Sequence, residues 1–127
     1  MILKNSLYTI ESAEMSGTEA RYVIKLNAGH FIYQAHFPGE PITPGVCIVQ
    51  IAKELLEETV GRKLQVVKVK NVKFLSVVTP TQSTDVMFQL VKIMEDETEG
   101  TVKTQVIVMV NEEQKAKLSF TCTCPQK

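Results

Sequence analysis

From Gly45 to Val60 the chain carries a single stretch of helical periodicity, and after it only strand patterns. At the helical step of about 100° per residue, Ile48, Val49, Ile51, Ala52, Leu55 and Leu56 share one broad arc. Gln50, Lys53, Glu54 and Glu57 form the opposite stripe. Pro44 stands where proline is welcome, just inside the start. Gly61 marks the end as a left-handed terminating residue, with Arg62 and Lys63 behind it. A helix this apolar at its beginning cannot lie on a surface, so a sheet has to wrap it.

The strands that would do so alternate in apolar and polar residues. Glu19 to Leu26 puts Tyr22, Ile24 and Leu26 on one face. Leu64 to Val78 is a long β-branched run whose interruption is predicted near Asn71. Asp85 to Met94 follows, then an acidic turn from Glu95 to Gly100. Thr101 to Val110 places Val102, Val106, Val108 and Val110 on one face, apart from Thr104. In Lys115 to Cys124 the inward set is Ala116, Leu118, Phe120, Cys122 and Cys124. Met1 to Met15 gives weak signals, with Leu3, Leu7 and Ile10 on one short helical or extended face, and Phe31 to Ala35 reads as a short apolar approach. The pattern is α+β, an antiparallel sheet of about five to six strands around one long central helix. Residues 1–127 make one domain, without repeats or linkers.

Ahead of the helix, Ala35 to Val46 holds Pro38, Gly39, Pro41, Pro44 and Gly45, which exclude helix and paired strand and make a stiff, shaped loop. The loop carries His36 toward the unsatisfied N–H groups of Gly45 and Val46 that open the helix. A group that titrates near neutrality then stands beside an oxyanion site.

Lys plus Arg and Asp plus Glu each number 14, for a formal net charge of zero and a pI near 6.7. That balance, with lysines in no long run, argues against nucleic acid or an anionic membrane as the main partner. No apolar stretch is long enough for a bilayer and no signal-peptide layout opens the chain, so a cytoplasmic location is expected. Cys47, Cys122 and Cys124 are read as free thiols that pack in the core. Neither a metal nor an organic cofactor is expected, because His30 and His36 lack an accompanying ligand set.

His36-Phe37-Pro38-Gly39, then Pro41, then Pro44-Gly45-Val46 before an apolar helix resembles the active-site signature of the 3-hydroxyacyl-(acyl-carrier-protein) dehydratases of fatty-acid synthesis, which are hotdog-fold enzymes. Asn71 to Pro80 is similar to that family's Phe…Val-x-Pro-Gly-Asp segment, with Thr81 in place of the usual glycine. The likeness runs from about Thr18 to Cys124, while the family's N-terminal His-Arg-Tyr-Pro-Phe-like segment is missing.

The resemblance implies a hotdog fold, His36 as base and the Gly45 amide as oxyanion donor. The family's helix carboxylate, its acid, falls on Gln50. The family carries Glu and, four residues on, Gln; here Gln50 precedes Glu54, as though the two had traded places. Residues four apart share a helix face about 6 Å apart along the axis. Glu54 is therefore expected as acid or water-activating base with Gln50 positioning, or else as an ordinary polar residue of the helix. Phe37, Pro38, Gly39, Pro44, Val46 and Phe74 are the expected substrate-binding set. Phe31 and Phe88 either line an acyl tunnel with Phe37 and Phe74 or fill the core, and His30 reads as a loop residue.

Three functions compete: a dehydratase-like lyase in fatty-acid or related acyl-chain synthesis, a hotdog thioesterase, and a non-catalytic acyl-binding subunit. The substrate would be an acyl chain on acyl carrier protein or coenzyme A. The resemblance also implies a homodimer or a higher assembly of dimers, with His36 of one chain facing Gln50 or Glu54 of the other.

Overall fold

A computed structural model describes residues 2–37, 39–80 and 85–125. Its elements are β1 (Tyr8–Ser16), β2 (Glu19–Leu26), α1 (Ile32–Ala35), α2 (Gly45–Val60), β3 (Gln65–Phe74), β4 (Asp85–Asp96), β5 (Thr101–Val110) and β6 (Glu113–Thr123). The strands form one six-stranded sheet in the order β1-β2-β4-β5-β6-β3, antiparallel throughout. Helix α2 thus stands in the chain between β2, near one end of the sheet, and β3 at the opposite edge. One α+β layer of this kind, a sheet with a single long helix in its core, is the hotdog fold.

The core forms where the two periodicities meet. From the helix come Ile48, Ile51, Ala52, Leu55 and Leu56, all buried. From the sheet come Tyr22 and Ile24 of β2, Phe88 and Leu90 of β4, Val106 and Val108 of β5, and Leu118 and Phe120 of β6. A fully buried side chain of this size contributes about 1.5–3 kcal/mol. Tyr22 also reaches the last turn of α2, where its hydroxyl lies 2.9 Å from Thr59 Oγ1. That turn ends as the sequence implies: Gly61 is left-handed at φ 76° and its N–H donates to the Glu57 carbonyl at 2.8 Å. The Glu57 carboxylate accepts from the Leu64 N–H at 2.7 Å, aiming the chain into β3.

The departures from the sequence reading have local causes. β1 is a full strand where only weak signals stood. It is an edge strand, exposed from Glu11 onward, with a register shift between Ile10 and Ser12, so no alternation is impressed on its residues. Phe31 to Ala35 contains one helical turn, and Tyr33 is buried beneath it. The β-branched run ends as a strand at Phe74, and the predicted interruption is present: the register shifts between Lys70 and Lys73, with Asn71 at φ 56°. Cys124 is exposed rather than inward, because β6 ends at Thr123 and the thiol accepts from Arg62 Nε at 3.1 Å. Cys122 is buried as expected, and burial pushes its thiol up to about 12.

Thr104 keeps to the inward face of β5, and its hydroxyl has a task there. β4 bulges between Val91 and Met94, with Lys92 at φ 53°, and the Thr104 hydroxyl donates to the Val91 carbonyl beside the bulge at 2.8 Å. Thr104→Val keeps the shape and removes that buried donor. We expect it to lower stability by about 1–2 kcal/mol in urea unfolding, with the slope unchanged. An unchanged midpoint would show that the bulge does not need the hydroxyl.

Candidate active site

The loop from His36 to Pro44 is rigid because its backbone bonds to itself and to its neighbours. Phe37 N–H donates to the Glu40 carbonyl at 3.2 Å and Glu40 N–H returns the bond at 3.0 Å, closing a turn that Gly39 enters at φ 81°. Ile42 N–H donates to the His36 carbonyl at 3.0 Å, and Thr43 N–H to the Val78 carbonyl at 2.8 Å. Below it, the hydroxyls of Tyr33 and Thr43, both buried, lie 2.9 Å apart. Burial pushes the Tyr33 phenol up, so it remains protonated and able to donate.

His36 rides on this frame half-buried, its ring stacked on Phe37 at 4.2 Å. Its Nδ1 lies 3.5 Å from the Ile42 carbonyl, and the tautomer with its proton on Nδ1 is the one that would carry the lone pair on Nε2. His30 accepts at Nδ1 from the Ile32 N–H at 3.1 Å and stacks on Phe31, as a loop residue would.

Pro44 caps α2 in extended conformation without offering a side-chain acceptor. Cys47 and Ile48 N–H groups both turn back to the Pro44 carbonyl, at 3.0 and 3.1 Å. Among the described residues the amides of Gly45 and Val46 donate to nothing. They sit at the positive end of the helix dipole, a natural seat for an oxygen that gains negative charge.

Space rather than backbone angle favours glycine at position 45. A Cβ at this position would lie 2.8 Å from Cζ of Phe74, whose ring covers the helix start. Phe74 and Val46 stay largely exposed, at 51% and 68%. Phe37 is also exposed, Phe88 is core, and Pro38 lies outside the described residues. Burial pushes the neighbouring Cys47 thiol up, which keeps it an apolar packing group.

One and two turns along, Gln50 and Glu54 meet. Glu54, assigned by periodicity to the polar stripe, is in fact buried, because the N-terminal segment folds over it. Its carboxylate accepts from four donors: Leu3 N–H and Gln50 Nε2 at 2.8 Å on one oxygen, Lys4 N–H at 2.8 Å and the Tyr8 hydroxyl at 3.0 Å on the other. Burial and the adjacent carboxylate push the Tyr8 phenol well above its usual range. Lys4 Nζ pairs with Glu58 beside it. Gln50 and Glu54 line one end of a groove of about 600 Å³, with Lys53, Glu57 and Lys4 along it.

Within the single chain the expected residues therefore form three groups: His36 with Phe37 on the loop, Gly45 and Val46 under Phe74, and Gln50 with Glu54 in the groove. Sequence reasoning missed Tyr8, Tyr33 and Thr43, since a tyrosine in a weak pattern and a threonine between prolines carry no signal of their own. No group of three or more His, Cys, Asp or Glu among the described residues is placed to hold a metal ion.

A carboxylate amid four donors cannot be replaced by an amide without turning one N–H against another. Glu54→Gln is expected to cost about 1–3 kcal/mol, and Tyr8→Phe about 1 kcal/mol, in chemical unfolding. A Glu54→Gln protein as stable as the parent would show that the N-terminal segment docks by other means.

Comparison with known proteins gives a consistent result. The ApeI-like model, for ApeI dehydratase, matches residues 12–106. The 3-hydroxyacyl-(acyl-carrier-protein) dehydratase FabZ of Clostridium acetobutylicum is 33% identical over 69 residues, 49% of this chain and 49% of its own, so the chain spans about half the length of that relative. Among solved structures, the dehydratase heterocomplex ApeI:P from Xenorhabdus doucetiae superposes with a TM-score of 0.69 at 15% identity, over 90% of this chain and 96% of that one. The (R)-hydratase from A. caviae involved in PHA biosynthesis gives a TM-score of 0.61 at 11% identity, over 88% and 98%. These likenesses in structure show the fold, and the family model goes further: the chain belongs to the ApeI-like dehydratase family.

Proposed function

We propose that the protein dehydrates a 3-hydroxyacyl thioester, carried on acyl carrier protein or coenzyme A, with His36 as the base. The observation that carries this reading is the pair of amides at Gly45 and Val46, unpartnered among the described residues, under an exposed aromatic ring at the mouth of an enclosed helix. The thioester oxygen is received by those amides, and Nε2 of His36 takes the proton alpha to the carbonyl. The electrons of that C–H bond pass through the enolate and return as the carbon–carbon double bond forms. The C–O bond to the 3-hydroxyl then breaks, and the proton held by His36 leaves with that oxygen as water.

Glutamine has no proton to give at neutral pH, so Gln50 orients the departing hydroxyl by hydrogen bonding. Glu54, which accepts from Gln50 Nε2, fixes how that amide is turned. The groups are completed across a homodimer, His36 of one copy facing Gln50 of the other. Support for a second copy comes from β3, an edge strand on which Val67, Val69, Val72 and Phe74 all remain at least 39% exposed. Sedimentation equilibrium is expected to give twice the chain mass of 14.2 kDa. A monomer at working concentration would remove the shared site.

A second reading is favoured by the same Glu54: with both oxygens engaged by four donors it is poorly placed to serve as an acid, which suits an acyl-binding subunit. Incubation with 3-hydroxyacyl and enoyl thioesters separates the readings. Interconversion of the two marks the dehydratase, release of free thiol a thioesterase, and binding without turnover the binding subunit. For the dehydratase, His36→Ala is expected to lower kcat by roughly 10²–10⁴. Gly45→Ala, which crowds Phe74 and the amides, should lower it by roughly 10²–10³. Turnover undiminished in His36→Ala would sink the mechanism.

A further inference from the structure

Strand register gathers lysines that the sequence keeps apart. On β6 the side chains of Leu118, Phe120 and Cys122 are buried, so Lys117, Ser119 and Thr121 point to the outer side of the sheet. Their register partners point the same way. Thr121 lies between Lys68 of β3 and Lys103 of β5, Ser119 lies between Lys70 and Gln105, and Lys117 stands directly opposite Lys73. All five lysines are exposed, and none takes part in an ion pair among the described residues.

From Lys117 to Thr123 of β6 and their partners on β3 and β5 the outer face holds no carboxylate, in a chain of net charge zero whose remaining residues therefore carry a net negative charge. Two like charges directly across a ladder destabilise it, and Lys73 and Lys117 bear that cost. Separated charge of this kind makes a local field that a net charge of zero conceals.

From this arrangement we infer that the outer face of β3, β6 and β5 is a docking surface for an anionic lipid bilayer. The chemistry of the patch selects among polyanions. It has no arginine for bidentate reading of bases and no aromatic ring on which bases could stack. Lysine is depleted in specific protein–protein interfaces, where a long flexible ammonium is costly to fix. Mobile lipid headgroups ask for no fixed geometry, and clusters of four to eight lysines or arginines are what such surfaces attract. Met94 of β4, paired with Lys103 and 64% exposed, adds an apolar side chain at the rim. None of the residues of this surface belongs to the site proposed at the helix start, although β3 carries both the lysines and the edge offered to a second copy.

The test is co-sedimentation of the full chain with vesicles of phosphatidylcholine alone or mixed with phosphatidylglycerol, at low and high salt. We expect at least about tenfold stronger partitioning to the anionic vesicles, lost when salt shortens the screening length to a few ångströms. Lys68→Glu/Lys70→Glu/Lys117→Glu should abolish the preference, while Lys25→Glu, on β2 at the other side of the sheet, should retain it. Circular dichroism and a cooperative urea transition report that the triple variant is folded. If it is not, single Lys70→Gln and Lys117→Gln variants should each weaken partitioning severalfold. Equal partitioning to neutral vesicles, undiminished binding of the charge-reversed protein, or preference for duplex DNA over the anionic vesicles would each overturn the inference.

Discussion

A carboxylate taken out of water has to be met by donors, and Glu54 states that requirement at the centre of this molecule. Left unpaired in the core, such a charge would cost several kcal/mol. Two backbone amides, a phenol and a side-chain amide meet it. Satisfying it settles where the N-terminal segment lies, because Leu3 and Lys4 supply the backbone donors. It settles where β1 begins, because Tyr8 is both a donor and the first residue of that strand. It also turns Gln50. One buried acid thus ties helix, terminus, edge strand and candidate site into a single arrangement.

The elements that sequence makes legible are those whose partners impress a period on them. α2 runs from Gly45 to Val60 as its apolar arc and its glycine stop imply, and β2 and β5 keep their alternation because the core lies under every second residue. β1 escapes because an edge strand with a mostly exposed face carries no such imprint. Glu54 escapes for another reason. Helical periodicity records how a residue relates to its own helix, and the cover over Glu54 comes from a segment 50 residues away in sequence. Cys124 lies one residue past the end of β6, where the alternation that would turn it inward no longer holds.

The site divides in the same way. The proline-rich loop, the uncapped helix start and the position of Gln50 can be read directly, because proline, glycine and spacing act locally. What holds the loop still cannot: the Tyr33–Thr43 hydroxyl pair and the Thr43–Val78 backbone bond join residues whose identities are unremarkable on their own. The reason for glycine at position 45 is likewise hidden. Phe74, the last residue of an edge strand, occupies the space a side chain would need.

The outermost strand carries the final consequence. From Lys68 to Lys73, β3 presents cations on its solvent side, and among the described residues no strand pairs with its outer edge. Any extended peptide able to add there must tolerate ammonium groups along the length of the strand. An indiscriminate hydrophobic segment brings nothing to offset them, so the ladder end is guarded against haphazard accretion while it stays open to a complementary strand.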